Sequence, residues 1–152
     1  MTSPANCAIL RTIRTLDDIW ALGIVRCVFL GTRRFTPMQR ELGIATNVLT
    51  SRLRHLVDEG ILVRVPYQQR PLRHEYHLTD KGRDLAPVIV ALRQWGTAHL
   101  EWQSPLPPFI HRGCEGHVRA GIRCDGCGGD IADSDITIPV FPDPAPGAEL
   151  RS

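Results

Sequence analysis

Residues 34–60, RFTPMQRELGIATNVLTSRLRHLVDEG, run without a break into residues 61–79, ILVRVPYQQRPLRHEYHLT, and the reading of this stretch decides the fold. Two helix starts come in succession. Thr36 is suited to cap free N–H groups, Pro37 to the first helical position, and Gln39 stands at capping-box spacing, so a helix begins here and closes at Gly43. After a turn of a few residues Thr46 is placed to cap a second helix, Asn47 to Glu59, which stops at Gly60. Leu49, Leu53, Leu56 and Val57 form one apolar stripe on it at the helical period. Turning that stripe inward turns Asn47, Thr50, Ser51 and Arg54 outward, and these hydrogen-bonding side chains lie mostly in the first half of the helix.

Ile61 to Val65 reads as a strand and His74 to Leu78 as its antiparallel return. The connection, Pro66 to Arg73, holds no acid, carries Gln69, Arg70 and Arg73, and contains prolines that cannot continue a ladder. It is expected to project as a stiffened cationic loop. Helix, turn, helix and basic hairpin in that order are the layout of a winged helix-turn-helix module, whose second helix lies in the major groove while the loop tracks phosphates or the minor groove. The predicted fold is therefore mainly α with a small β-hairpin (α+β). The predicted DNA contacts are Thr36, Thr46, Asn47, Thr50, Ser51, Arg54, Gln69, Arg70 and Arg73.

Several further runs in the same order carry a resemblance. They are Asp18-Ile19-Trp20 opening a long helix, Gly31 to Phe35 before the first reader helix, Leu42 to Leu53, Glu59-Gly60-Ile61-Leu62, Glu75 to Thr79, and Trp95-Gly96. With them, the segment from Asn6 to Leu100 resembles the HxlR-type winged-helix transcriptional regulators, relatives of the MarR group. The resemblance implies a homodimeric, sequence-specific DNA-binding regulator, most readily a repressor of an inverted-repeat operator, that responds to a small molecule or an oxidant. Where that family often has Cys-Pro near its start, this chain has Cys7-Ala8. In some members a Cys at this place senses oxidants, so Cys7 is either a redox sensor or an inert thiol. Cys27, inside an apolar helix, reads as core.

Composition agrees. A chain of 152 residues with 43% hydrophobic content holds one domain with a core and a small appendage. No apolar run reaches membrane-spanning length and Met1-Thr2-Ser3-Pro4 lacks a secretory pattern, so a cytoplasmic protein is expected. Net charge is +2 but uneven: fourteen Lys or Arg stand against nine Asp or Glu through Ser104, and four against seven beyond it. The basic part is the DNA candidate. Flanking it, Asn6 to Arg14 reads as a short helix and Asp17 to Leu30 as a longer one. Thr79 begins a helix that Pro87 is expected to kink before the pattern resumes through Val88, Ile89, Leu92 and Trp95. In the resembling family the first and the post-wing helices pair with those of a second subunit.

Ser104-Pro105-Leu106-Pro107-Pro108 marks a boundary between a DNA-binding and dimerisation domain, residues 1–104, and a Cys-rich appendage, residues 105–152. The appendage carries Cys114 and His117 at C-x2-H spacing, then Cys124 and Cys127 at C-x2-C spacing, with glycines at the turns. Two such pairs supply the donors of one structural tetrahedral zinc in a ribbon-like hairpin; His111 competes with His117 as a ligand, and a metal-free hairpin or a disulfide is the alternative. Four protein ligands leave no open position for water, so catalytic zinc is not expected, and the remaining His residues are scattered without a pairing motif. No enzyme is read here. The competing reading makes the appendage a zinc-ribbon protein-interaction module with the winged domain as its adaptor, but acidic or apolar residues at the outward face Asn47, Ser51, Arg54, which would favour it, are absent.

Overall fold

The computed structural model describes residues 7–16, 18–103 and 107–137. Asn6, Asp17, Ser104-Pro105-Leu106 and the Pro-rich tail from Pro139, for which sequence expectations are given above, lie outside the described residues. The chain forms two compact units, residues 1–120 and residues 121–152.

The first unit runs α1 (Ala8–Leu16), α2 (Ile19–Phe29), α3 (Phe35–Leu42), α4 (Thr46–Asp58), β1 (Leu62–Gln69), β2 (Leu72–Leu78), α5 (Asp80–Arg83) and α6 (Ala86–His99). Asp18 starts α2 by accepting the Trp20 and Ala21 N–H groups at 2.9 and 3.0 Å, which satisfies two of the four donors a helix start leaves free. Beyond that cap α2 is apolar nearly all round, and it is the hub, touching α1, α3, α4, β2 and α6. Its Ala21, Ile24, Val25, Cys27 and Val28 are buried with Met38, Ile44, Leu49, Leu53, Leu56, Ile61, Leu62 and Ile89 in one core. Truncating a fully buried leucine such as Leu53 or Leu56 to Ala costs about 2–5 kcal/mol in such a setting.

The chain leaves α3 and α4 at Gly43 and Gly60, both left-handed, with φ of 62° and 66°. The helix starts come earlier than expected, by two residues for α3 and by one for α4. Arg34 holds the cap position of α3 and Ala45 that of α4, neither with a side-chain cap bond. Thr36 and Pro37 therefore sit inside the first turn of α3. Thr46 is the first residue of α4, and its hydroxyl accepts the Gln39 side-chain amide at 2.8 Å, a bond across the turn rather than a cap.

The hairpin is longer than the sequence suggests. β1 and β2 stay paired from Leu62↔Leu78 out to Gln69↔Leu72, with a register shift between Pro66 and Gln68. That irregularity is where a residue without an N–H is tolerated, so Pro66 bends the ladder instead of ending it. The expected eight-residue loop shrinks to a tip at Arg70 and Pro71, joined by a cis peptide bond. Just before α3, Arg34 bridges Glu75 and the Tyr76 N–H donates to the Arg33 carbonyl at 2.8 Å, so this segment lies along β2.

After the hairpin Thr79 caps α5, accepting the Gly82 N–H at 3.1 Å while donating to the Gly60 carbonyl at 2.6 Å. The expected kinked helix is two helices: Pro87 lies in the first turn of α6, where its missing N–H has no partner to lose. The first unit also continues past the expected break at residue 105. Phe109 packs against the core with its ring edge-on to Phe29 at 6.1 Å, Arg93 lies 4.8 Å over the same ring and donates to the Pro107 carbonyl, and the Ala120 N–H donates to Gln94 Oε1 at 3.1 Å. The second unit, as described, is a tight turn closed by a bridge between Arg123 and Asp130, then a 3-10 turn, Asp133–Asp135. Its Asp130, Asp133 and Asp135 are exposed.

Candidate nucleic-acid interface

Leu49, Leu53 and Leu56 pin one side of α4 to the core, and the opposite side carries Asn47, Thr50, Ser51 and Arg54, all exposed. Three bonds fix that orientation from behind. Arg52 Nε donates to Asp18 Oδ2 at 2.7 Å, His55 Nε2 to the Thr15 carbonyl at 2.8 Å, and Gln39 holds the Thr46 hydroxyl at the first turn. Burial pushes the Asp18 carboxyl up, but the Ala21 amide, Arg52 and the Trp20 amide together outweigh it and leave the group below its ordinary value. Asp18 therefore stays ionised and keeps both α2 and α4 in place. The Thr50 hydroxyl donates to the Thr46 carbonyl at 2.7 Å, which leaves its lone pairs outward.

The hairpin places Arg64, Gln69, Arg70 and Arg73 in solvent, and no acid occurs between Ile61 and His74. Gln68 Nε2 donates to the Arg70 carbonyl at 3.0 Å and so stiffens the tip. At the hairpin base Arg34 donates to Glu75 at 2.7 Å and lies 4.3 Å over the Tyr67 ring. The Arg34 contact holds Glu75 below the ordinary carboxylate range, so the one acid on the hairpin is already neutralised. Between α4 and β1 a cleft of about 240 Å³ is lined by Thr50, Arg54, Asp58, Arg64 and Tyr76.

All nine predicted DNA contacts are thus exposed on the first unit, eight of them on α4 and the hairpin and the ninth, Thr36, in the first turn of α3. Sequence reasoning missed Arg34, Arg64 and Tyr67. Arg64 sits in a strand that periodicity reads as scaffold, and Arg34 and Tyr67 meet only through chain folding.

Outside this face, Ile9, Ile13 and Ile19 on and beside α1 and Val88, Leu92 and Trp95 on α6 are exposed, Trp95 to 59% with its ring 5.3 Å from that of His99. Cys7 is half-buried at the start of α1, where its carbonyl accepts the Arg11 N–H at 3.0 Å. Cys27 is buried, and burial followed by nearby Glu41 pushes its thiol up to about 12. Cys114 has His111 Nδ1 at 3.3 Å, while His117 takes a bridge position opposite Ile110. Among the described residues no three His, Cys, Asp or Glu side chains gather in a geometry able to hold a metal ion. No described helix is long and apolar enough to cross a membrane.

The family model for HxlR-like helix-turn-helix proteins matches residues 15–104. An HTH-type transcriptional regulator of Mycobacterium tuberculosis is 41% identical over 142 residues, covering 93% of this chain and 87% of its own length. One from Synechocystis is 38% identical over 99 residues, 64% of this chain and 73% of its own. Among solved structures, PA1607, a proposed transcription factor, is similar at TM-score 0.78 and 36% identity over 89% of this chain and 95% of its own. The redox regulator HypR in its oxidized form is similar at TM-score 0.59 and 30% identity, over 63% of this chain and all (100%) of its own.

Proposed function

This chain belongs to the HxlR-like helix-turn-helix family of transcriptional regulators, and from that premise we propose that it is a homodimeric repressor that reads an inverted-repeat operator with α4 and the β1–β2 wing. The observation that carries the reading is the pairing of two exposed surfaces on one unit. Asn47, Ser51 and Arg54 offer base-edge donors and acceptors from the first turns of α4, and Arg64, Arg70 and Arg73 offer phosphate contacts from a hairpin that holds no acid between Ile61 and His74. The first set specifies and the second positions.

A dimer is supported by the apolar side chains that α1 and α6 leave in solvent, which need a partner surface. Release from DNA follows a small molecule or an oxidant. The first is supported by a cavity of about 290 Å³ lined by Val90, Arg93, Thr97, Phe109, His117 and Arg119, whose cations suit an anionic effector. The second is supported by Cys7 at the start of α1 and by the likeness to HypR.

Selection from a random duplex pool tests the reading. The expected product is an inverted repeat with half-sites about one turn, ~34 Å, apart. Absence of duplex binding at low salt sinks it. Oxidant-driven release that persists in Cys7→Ser removes Cys7 from the signal.

A further inference from the structure

The last part of the first unit, residues 107–120, is fastened to α6 as a strap. Arg93 on α6 donates to the Pro107 carbonyl at one end, and the Ala120 N–H donates to Gln94 Oε1 at 3.1 Å at the other. Between these ties the strap doubles back: the Val118 N–H donates to the Phe109 carbonyl at 2.8 Å and the His111 N–H to the Gly116 carbonyl at 2.9 Å. Phe109 is wedged by Phe29, edge-on at 6.1 Å, and by Arg93, 4.8 Å over its ring. The strap is therefore a fixed wall.

With α6 that wall frames the cavity of about 290 Å³, whose lining residues all lie between 90 and 119, inside the first unit. Val90, Ala98, Phe109 and Val118 give it an apolar lining. The charge is one-sided: Arg93, His117 and Arg119 line it and, among the described residues, no acid does. These basic side chains are not equivalent. Arg93 is engaged by the Phe109 ring and the Pro107 carbonyl, whereas the side chains of His117 and Arg119 make no ion pair or hydrogen bond among the described residues. Val90, Arg93, Gln94 and Thr97 recur at spacings of three and four along one face of α6, while Val88, Leu92 and Trp95 occupy the opposite face. Subunit pairing through Leu92 and Trp95 therefore leaves the cavity open.

We propose that this cavity binds a small carboxylate with an apolar body, one ring or a short chain in size, with its head on Arg119 and its body against Phe109 and Val118. The proposal rests on the reading of the chain as an effector-controlled regulator and names the class of effector. A planar guanidinium takes both oxygens of a carboxylate, and the carbon lining takes the body. One free guanidinium beside one imidazole matches a monoanion; a phosphate-rich ligand would leave charge against carbon. The volume sits at the small end of the about 300–1,000 Å³ of ligand pockets, which sets the size.

The probe is benzoate, titrated into full-length isotope-labelled protein without DNA and followed by amide NMR. Benzamide supplies the same body without the charge, and acetate the charge without the body. Benzoate is expected to saturate at about one per chain, to move the amide signals of Thr97, Phe109 and Val118, and to bind more tightly than either control. Arg119→Ala is expected to weaken benzoate by about 10–100-fold, the worth of a charge-assisted hydrogen bond, and to leave benzamide unchanged. Ala98→Trp, which fills the cavity from an exposed position of α6, is expected to lose benzoate. A thermal melt of each variant separates loss of the site from unfolding. Unmoved spectra, equal affinity for benzoate and benzamide, or Arg119→Ala binding benzoate as tightly as wild type overturns the site. With no duplex present, the result is independent of operator binding: a chain that takes benzoate and no duplex keeps the site and loses the repressor reading, and a chain that binds its operator and ignores benzoate loses the site alone.

Discussion

Asp18 Oδ2 accepts Arg52 Nε at 2.7 Å while Asp18 Oδ1 caps α2, so one carboxylate joins the start of the central helix to the back of the helix that faces outward. The folded-state value of Asp18 lies below its ordinary 3.8. A depressed carboxyl stabilises above the unfolded value and loses that contribution as pH falls through the folded one, so the effect is complete at neutral pH and fades below about pH 4. Asp18→Ala is expected to destabilise by about 1–2 kcal/mol at pH 7 through loss of the cap. Asp18→Asn keeps a capping oxygen and loses only the charge. Urea melts at neutral and acid pH check this: the gap between wild type and Asp18→Asn is expected to narrow on acidification, and a gap independent of pH removes the ion pair from the account.

Base readout and phosphate contact separate by experiment. Asn47→Ala and Arg54→Ala are expected to lose roughly 1–3 kcal/mol on the selected site and little on random duplex, while Arg70→Ala and Arg73→Ala weaken both alike and flatten the salt slope by about one unit each. Binding isotherms on both duplexes at several salt concentrations give the result. Equal losses on the two for Asn47 and Arg54 take α4 out of sequence recognition.

Much of this face was legible because its signals are local. The leucine period of α4 sets which side is buried, and Gly43, Gly60 and Thr79 mark ends by conformations or caps that depend on their own residue. The misses are all long-range or degenerate. Arg34 meets Glu75 across 41 positions and Asp18 meets Arg52 across 34, which no window of sequence holds. Thr36 and Thr46 carry good cap chemistry, yet the cap fell on Arg34 and Ala45, since the chain before α3 is committed to β2 and Gln39 claims the Thr46 hydroxyl.

Subunit pairing is expected to rest on exposed rather than buried positions. Ile89 is 7% exposed and belongs to the core, so a charge there unfolds the chain and says nothing of assembly. Leu92 and Trp95 are 51% and 59% exposed on the same helix, and Leu92→Glu or Trp95→Glu is expected to give a folded monomer. Light scattering with far-ultraviolet circular dichroism reads both properties. A monomeric wild type contradicts the dimer.

The thiols are expected to differ sharply in reactivity. Cys27 is fully buried and pushed up to about 12, first by burial and then by Glu41, so at pH 8 its thiolate is scarce and its sulfur reaches reagent only when α2 opens from the core. Cys114 and Cys127 are exposed. With a thiol-specific reagent at pH 8, these two are expected to react within mixing, and Cys27 to react at the rate of unfolding, accelerating with urea as the stability falls. Mass spectrometry of quenched samples assigns each site. Rapid labelling of Cys27 in native protein at low denaturant contradicts the buried hub that holds α1, α3, α4 and α6 together.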